Sequence, residues 1–211
     1  MLFKPVLKMD RRKFINILKK IWYFIWEEDS LLSWIVNIIL AIVLIKYIIY
    51  PGLGLVLGTH YPIVAVVSDS MEHRYMLDDW WAYQSTFYIG KNISFEEFKK
   101  FPFNNGFNKG DLMVLIGTNP EKIKIGDIIV FMAGKPDPII HRVVALRNSD
   151  GDYVFETKGD NNVNQITSTW LNEKNVSASK IVGKAVFRIP YLGWVKIGAV
   201  ELLSSLINIL R

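Results

Sequence analysis

The chain has 211 residues, enough for one ordinary domain with accessory segments, and a modest net charge of +5. Apolar residues make up 51% of it and the mean hydropathy is +0.21, so the composition favours a membrane-attached protein over a freely soluble one. The sequence has no cysteine, which excludes thiol nucleophiles, thiolate metal sites and disulfides.

The first predicted segment, residues 1–30, is basic and amphipathic. Its seven basic and four acidic residues contribute +3 of the net charge, and the rest of the chain is nearly balanced, so no nucleic-acid partner is expected. The segment contains apolar residues at helical spacing, namely Phe14, Ile17, Leu18, Ile21 and Ile25. This pattern predicts a helix in the membrane interface, and the positive-inside bias predicts a cytoplasmic N-terminus.

Residues 31–50 form the longest apolar run, LLSWIVNIILAIVLIKYIIY. At about 1.5 Å per residue, twenty helical residues span roughly the 30 Å of a bilayer core. The run predicts a transmembrane helix, because a core helix of a soluble domain is rarely apolar on all sides. The residues after Pro51 are therefore expected on the extracytoplasmic side of the membrane.

Residues 59–190 change to short β-branched runs separated by Gly, Asn, Asp and Pro turns, which predicts a mostly β domain. The predicted strands are 63–67, 111–116, 127–131, 139–146, 152–157 and 181–188.

Residues 76–108, called the insert below, interrupt the β pattern. Ser94 and Glu97 form a capping-box pattern for a short helix before Pro102. The insert is rich in aromatic residues, including Trp80 and Trp81. Two interpretations are open for them: they enter the membrane interface, or they form the insert's own core.

Residues 191–211 predict a C-terminal helix. Its polar residues fall on one face and apolar residues cover the rest. This favours an amphipathic, membrane-associated helix over a second span.

Ser70, in the sequence VVSDSMEH, is a candidate nucleophile, and its hydroxyl would need a neighbouring base. The chain has three histidines, His60, His73 and His141. From the residues alone, His60 is expected to be solvated, His73 is too close along the chain to aim readily at Ser70, and His141 lies in an apolar strand. Three scattered histidines without cysteine do not give metal-ligand spacing, so neither a metal nor a cofactor is expected.

Five ordered blocks resemble type I signal peptidases of the archaeal and endoplasmic-reticulum branch, in which a histidine replaces the bacterial lysine. The resemblance covers residues 63 to about 193. The blocks are SDSME at 68–72, GDLMVL at 110–115, GDIIVF at 126–131, IIHRVV at 139–144 and TKGDNN at 157–162.

The resemblance implies a membrane-bound serine endopeptidase that cleaves signal peptides from exported preproteins. It implies Ser70 as the nucleophile and His141 as the general base, and Asp160 matches an acidic position that would orient the imidazole. The Ser70 N–H, together with the Ser68 hydroxyl, would stabilise the oxyanion. The expected partners are signal peptides, the lipid bilayer and components of the secretion machinery.

The chain departs from the family pattern in three ways. Gln165 and Ile166 occupy the places where a later Asp is usual, Asp69 replaces a common Gly, and His73 replaces a common Pro. The chain is therefore expected to use a Ser70–His141 dyad, to use Asp160 as its acid, or to be impaired.

Two other functions remain open. One is a non-catalytic module of the same fold that binds export substrates or secretion components. The other is a specialised processing peptidase, such as a pilin-type enzyme.

Overall fold

The computed structural model describes residues 10–209, so the predicted segments 1–30 and 191–211 extend outside the described residues at their ends. The chain divides into two compact units, residues 1–52 and 53–211. The elements of each unit are given in turn below.

The described part of the first unit begins with two helices, α1 (Arg11–Trp26) and α2 (Leu31–Leu44). Asp10 caps α1 and Ser30 caps α2, each by accepting a backbone N–H bond. Polar side chains of α2 bond to the end of α1: Ser33 Oγ donates to the carbonyl of Phe24 at 2.6 Å, and Asn37 Nδ2 donates to that of Ile25 at 2.9 Å. These bonds give the two polar residues of an apolar helix partners inside the protein.

The apolar helix is longer than the predicted 31–50. It continues through a π-helical turn, Ile45–Ile49, into α3 (Tyr50–Leu57). The wider turn ends two residues before Pro51, whose ring does not fit a regular α-helix interior and whose nitrogen donates no bond. The combined helix, Leu31–Leu57, is long and apolar enough to cross a membrane and could anchor the chain.

The predicted β fold is confirmed. Within residues 10–209, seven strands form one antiparallel sheet in the order β1-β2-β7-β3-β4-β5-β6. They are β1 (Ile63–Ala65), β2 (Leu112–Ile116), β3 (Ile128–Phe131), β4 (Ile139–Ser149), β5 (Asp152–Lys158), β6 (Val176–Ser177) and β7 (Ile181–Ile189). Six of these correspond to the predicted runs, and β6, which has two residues, is too short to leave a periodic signal.

The curled sheet has apolar clusters on both sides. One contains Val66, Met71, Met113 and Leu115, and the other contains Ile129, Phe131, Val143 and Phe155. Side chains alternate between the faces along each strand, so a run such as IIVF in β3, buried at all four residues, contributes to both clusters.

The insert contains α4 (Leu77–Ile89) and α5 (Phe95–Phe98), and the predicted Ser94–Glu97 capping box is present. Trp80, Tyr88 and Phe98 are buried in a third apolar cluster, with Trp81 packed against them. These aromatic side chains therefore form the insert's own core, which is the second of the two interpretations. The last helix, α6, spans Gly193–Ile209.

Candidate active site

Ser70 lies in the turn that follows β1, in residues 68–73, called the serine turn below. Asn161 holds this turn: its backbone N–H donates to the Ser70 carbonyl at 2.8 Å, and its Nδ2 donates to the Asp69 carbonyl at 3.0 Å. Asp69 extends outward, with a side chain 60% exposed that accepts a bond from Arg74 at 3.2 Å. Its charge is therefore paired at the surface.

Strand β4 brings His141 to Ser70. His141 Nε2 lies 2.9 Å from Ser70 Oγ, although the two residues are 71 positions apart in the chain. The imidazole is 4% exposed, so water has little access to it. The Ser68 hydroxyl lies 3.1 Å from Ser70 Oγ. The structure thus brings together three of the four predicted site residues.

The fourth, Asp160, lies elsewhere. His141 and Arg142 are neighbours on a strand, so their side chains point to opposite faces of the sheet. Asp160 is on the Arg142 side, where its carboxylate accepts bonds from Arg142 Nη2 at 2.7 Å, Tyr88 Oη at 2.9 Å and His73 Nε2 at 3.0 Å. The expectation that Asp160 orients the His141 ring is therefore not met by the geometry.

Glu173 occupies the place expected for that acid. Its Oε1 lies 2.5 Å from His141 Nδ1, and its side chain is fully buried. The Thr157 hydroxyl donates to the same oxygen at 3.2 Å, and the Ile166 N–H donates to Oε2 at 2.6 Å. Since a carboxylate only accepts, Nδ1 carries the ring proton and Nε2 is free to accept the Ser70 proton.

A tight return of the chain explains how Glu173 reaches this place. Thr167 pairs with Asn172, and the Glu173 N–H donates to the Ile166 carbonyl at 2.9 Å. Residue 173 therefore lies beside residues 165 and 166, where the family pattern has its later Asp. Sequence reasoning missed Glu173 because it searched for an aspartate, although Glu173 and Glu201 are the only acidic residues after Asp160.

Burial and charge give the Asp160 cluster a fixed ionisation state. Burial alone would raise the pKa of Asp160, but the Arg142 guanidinium and the His73 bond outweigh it and hold that pKa well below its usual range. Burial and the nearby Asp160 raise the pKa of Tyr88 well above normal. Asp160 is therefore an ionised acceptor, and the Tyr88 phenol is a donor.

A second buried cation, Lys158, directly precedes residues 159–161, which are called the acid loop. Lys158 Nζ donates to Gln84 Oε1 at 3.0 Å and to the carbonyls of Gly159 and Asp160 at 3.1 and 3.2 Å. Burial lowers the pKa of Lys158 to about 8. Its bonds to carbonyl oxygens of the acid loop indicate a structural role.

A cavity of about 300 Å³ opens beside Ser70 and His141. Its apolar walls include Val67, Ile139, Ile140, Ile166, Trp170 and Leu171. Across residues 10–209, no group of three His, Cys, Asp or Glu side chains is arranged to hold a metal ion.

The fold and the site together define a class: a β protein with an apolar helix long enough to cross a membrane and a hydrogen-bonded Ser–His–carboxylate chain, the arrangement found in serine hydrolases. No family model matches the chain. It is 32% identical to the signal peptidase complex catalytic subunit sec11 of Schizosaccharomyces pombe over 171 residues, 79% of this chain and 81% of the relative. The chain belongs to this family of signal peptidase catalytic subunits, which confirms the resemblance found in the sequence.

Two further relatives are also named as catalytic subunits of the signal peptidase complex. The subunit SEC11C of Homo sapiens is 32% identical over 157 residues, 71% of this chain and 62% of the relative. The subunit SEC11 of Scheffersomyces stipitis is 27% identical over 154 residues, 72% of this chain and 73% of the relative. The chain thus spans about six-tenths of the length of the mammalian relatives it matches.

Proposed function

We propose that the protein is a membrane-bound serine endopeptidase that cleaves signal peptides from exported preproteins. The observation that carries the proposal is the hydrogen-bonded chain from Ser70 Oγ through His141 to Glu173, with distances of 2.9 and 2.5 Å. The family membership supports the same activity, since its named members are catalytic subunits of the signal peptidase complex.

Ser70 is the nucleophile and His141 is the general base. Ser70 Oγ attacks the scissile carbonyl carbon while its proton passes to Nε2 of His141, and the protonated imidazole then gives that proton to the leaving amine. A water molecule hydrolyses the acyl-enzyme by the same route, with His141 accepting its proton. A neutral imidazole with its ring proton on Nδ1 accepts a proton at Nε2, which is the arrangement that a general base needs.

Glu173, rather than Asp160, orients His141. Its carboxylate holds the proton on Nδ1 and stabilises the imidazolium that forms when Nε2 accepts the Ser70 proton. Apart from His141, its hydrogen-bond donors among the described residues are the neutral Thr157 hydroxyl and Ile166 N–H. The charge on Asp160 is already balanced by Arg142 at 2.7 Å. Asp160 therefore acts as a structural anchor.

The Ser70 N–H and the Ser68 hydroxyl stabilise the tetrahedral oxyanion. The Ser68 hydroxyl lies 3.1 Å from Ser70 Oγ, close to the position where the carbonyl oxygen of a bound substrate would become charged. One such donor contributes about 2.7–4 kcal/mol in acyl-transfer enzymes.

The substrate binds as an extended strand. In the sheet of the described residues, β1 is the terminal strand and leads directly into the serine turn, so an extended peptide that pairs alongside it would pass Ser70. The cavity of about 300 Å³ next to Ser70 favours small apolar side chains beside the scissile bond.

The bilayer brings enzyme and substrate together. The apolar helix Leu31–Leu57 holds the chain in the membrane that also holds a signal peptide, and this shared anchoring restricts their search for each other. The seven basic residues of segment 1–30 support a cytoplasmic N-terminus, with the β domain on the extracytoplasmic side. The bilayer and components of the secretion machinery are the further partners we propose.

The test is cleavage of a signal-peptide-bearing preprotein by the full chain in proteoliposomes, with the product's new N-terminus determined by mass spectrometry. We expect Ser70→Ala and His141→Ala each to lower the cleavage rate by at least about 10³-fold, because removing one member of a catalytic unit costs about as much as removing the whole unit. Ser85→Ala, at a half-buried position in the insert, and His60→Ala, at an exposed position, are matched controls and should cleave normally. Full activity in Ser70→Ala would disprove the proposal, and substrate binding without turnover by folded wild type would favour a non-catalytic module.

A further inference from the structure

His73 is buried behind the serine turn, on the side away from the cavity. Its side chain is 1% exposed, and its ring stacks on Trp80 of the insert, with centroids 3.8 Å apart and planes at 10°. Nε2 lies 3.0 Å from Asp160 Oδ2. Because Asp160 is ionised and only accepts, Nε2 is the nitrogen that carries the proton. Nδ1 has no hydrogen-bond partner among the described residues.

The insert contacts both members of the buried ion pair between Arg142 and Asp160. Tyr88 of α4 donates to Asp160 Oδ1 at 2.9 Å. The carbonyls of Pro102 and Phe103 accept from Arg142 Nη1 and Nη2 at 2.8 and 2.9 Å. The insert therefore bonds to Asp160 and Arg142 directly and stacks on His73.

Asp160 is connected to the nucleophile through the acid loop. The next residue, Asn161, donates its N–H to the Ser70 carbonyl at 2.8 Å. The preceding residue, Gly159, is so close that a Cβ atom there would lie 2.8 Å from both the Ser70 carbonyl oxygen and His141 Nε2. A shift of Asp160 would therefore move the backbone of Gly159 and Asn161, which packs against the Ser70 carbonyl and the His141 ring.

These contacts form a closed ring. It runs along the serine turn from Ser70 to His73, across the hydrogen bond to Asp160, along the acid loop to Asn161, and back by a hydrogen bond to the Ser70 carbonyl. A second bond supports the ring, since the Asp160 N–H contacts Met71 Sδ at 3.3 Å. Among the described residues, His73 is the only side chain of the serine turn that bonds to the Asp160 carboxylate. Removing this bond would therefore break the closed ring of contacts.

We propose that His73 is a positioning residue through which the insert fixes the distance between Ser70 and His141. This inference rests on the proposed function, since it assigns His73 a role in aligning that site. In this account the insert stabilises the geometry of the active site. Trp80 fixes the plane of the His73 ring, and Tyr88 and His73 hold the two oxygens of Asp160.

The test compares His73→Phe with His73→Gln in full-length protein. Phenylalanine keeps an aromatic ring against Trp80 and removes the donor to Asp160, whereas glutamine replaces the ring and restores an N–H donor. We expect His73→Phe to lower kcat for preprotein cleavage by about 10- to 100-fold, because small misplacements of reacting groups cost that much. KM should stay within about twofold, since the substitution leaves the cavity beside Ser70 unchanged. His73→Gln should recover most of kcat.

Lys91→Met is the matched control for loosening the insert. Lys91 Nζ bonds to Glu156 at 2.6 Å and so ties the insert to β5 without touching the serine turn or Asp160. It should lower thermal stability while kcat of the folded protein stays near wild type. Tyr88→Phe gives a second test if His73→Phe fails to fold, and it should lower kcat with KM unchanged.

The outcomes separate the two proposals. If Ser70→Ala is inactive but folded His73→Phe or Tyr88→Phe has wild-type kcat, the positioning role is disproved and the proposed function stands. If Lys91→Met loses kcat as much as His73→Phe does, a general loosening of the insert explains the data and the inference fails. If wild type does not cleave, or Ser70→Ala does, the proposed function itself fails.

Discussion

Two buried carboxylates lie on opposite sides of β4, and their surroundings differ. Glu173 and Asp160 are both fully buried. Asp160 accepts from the Arg142 guanidinium, the Tyr88 phenol and the His73 ring, whereas Glu173 accepts from the His141 ring, a hydroxyl and a backbone N–H. The first carboxylate is bonded to a permanent cation, and the second is bonded to the imidazole that we propose as the general base, which would gain a proton during catalysis.

This difference assigns the two acids different roles. A carboxylate that already forms an ion pair with arginine gives only weak further electrostatic stabilisation to an imidazolium. One bonded to neutral donors gains an ion pair when the imidazole is protonated, and so favours the transition state over the resting state. Position relative to β4, rather than residue type, thus decides which acid serves His141.

The largest expected effect is on the Glu173 side. Glu173→Gln should lower the rate of preprotein cleavage by about 10³- to 10⁴-fold, because an amide no longer holds the proton on Nδ1 of His141. Thermal stability should change little by comparison, since the glutamine oxygen still accepts one bond. Cleavage rate and melting temperature of the same samples check this, and a rate within tenfold of wild type would contradict the role of Glu173.

Next in size is a loss of stability on the Asp160 side. Asp160→Asn leaves Arg142 as a buried, unpaired cation and should cost about 3–5 kcal/mol in the free energy of unfolding. Asp152→Asn, at an exposed position, is the control. Equal denaturation midpoints for the two variants would show that the ion pair is not a structural anchor.

A smaller effect is expected where the two sides meet, at Gly159. A methyl group there would lie 2.7 Å from Asn162 Nδ2 and 2.8 Å from His141 Nε2. Gly159→Ala should therefore lower kcat by about 10- to 100-fold through displacement of the His141 ring. Gly198→Ala in α6 is the control, because a methyl group there would meet nothing within 4 Å and the backbone is not in the left-handed region. Unchanged kcat in Gly159→Ala would contradict the close packing of the acid loop on His141.

The smallest effect concerns Lys158, below the acid loop. Its folded-state pKa is about 8, below the ordinary value of about 10.4, so between these pH values the unfolded chain binds more protons. The free energy of unfolding should therefore rise through this window, by at most about 1.4 kcal/mol per pH unit. Denaturation of wild type and Lys158→Met at a series of pH values checks this, and parallel curves would contradict it.

The sheet can be predicted well because each of its strands has a sequence pattern that depends only on neighbouring residues. The runs that became β3, β4 and β5 are β-branched and end at turn residues, so each can be recognised without the others. The Ser94–Glu97 cap is equally local. The extension of the apolar helix past Pro51 was not predicted, because a π-helical turn accommodates a residue that usually ends a helix.

The candidate site was predicted less completely because it depends on distant pairings. Ser70 and His141 came from ordered motifs, and the structure brings them within hydrogen-bonding distance. Glu173 reaches His141 only through the turn between Thr167 and Asn172, which has no strong sequence pattern. Asp160 was assigned to His141 because the sequence does not reveal which of two adjacent β4 side chains, His141 or Arg142, an acid will meet.

The measurement that tests this account most directly is nuclear magnetic resonance of the ring N–H protons in protein labelled with ¹⁵N-histidine. The chain has three histidines, and His60 is exposed, so two ring protons in strong bonds to carboxylates should be resolved. We expect Glu173→Gln to remove only the His141 signal and Asp160→Asn to remove only the His73 signal. A His141 signal that survives Glu173→Gln and disappears in folded Asp160→Asn would contradict the assignment of Glu173 to His141.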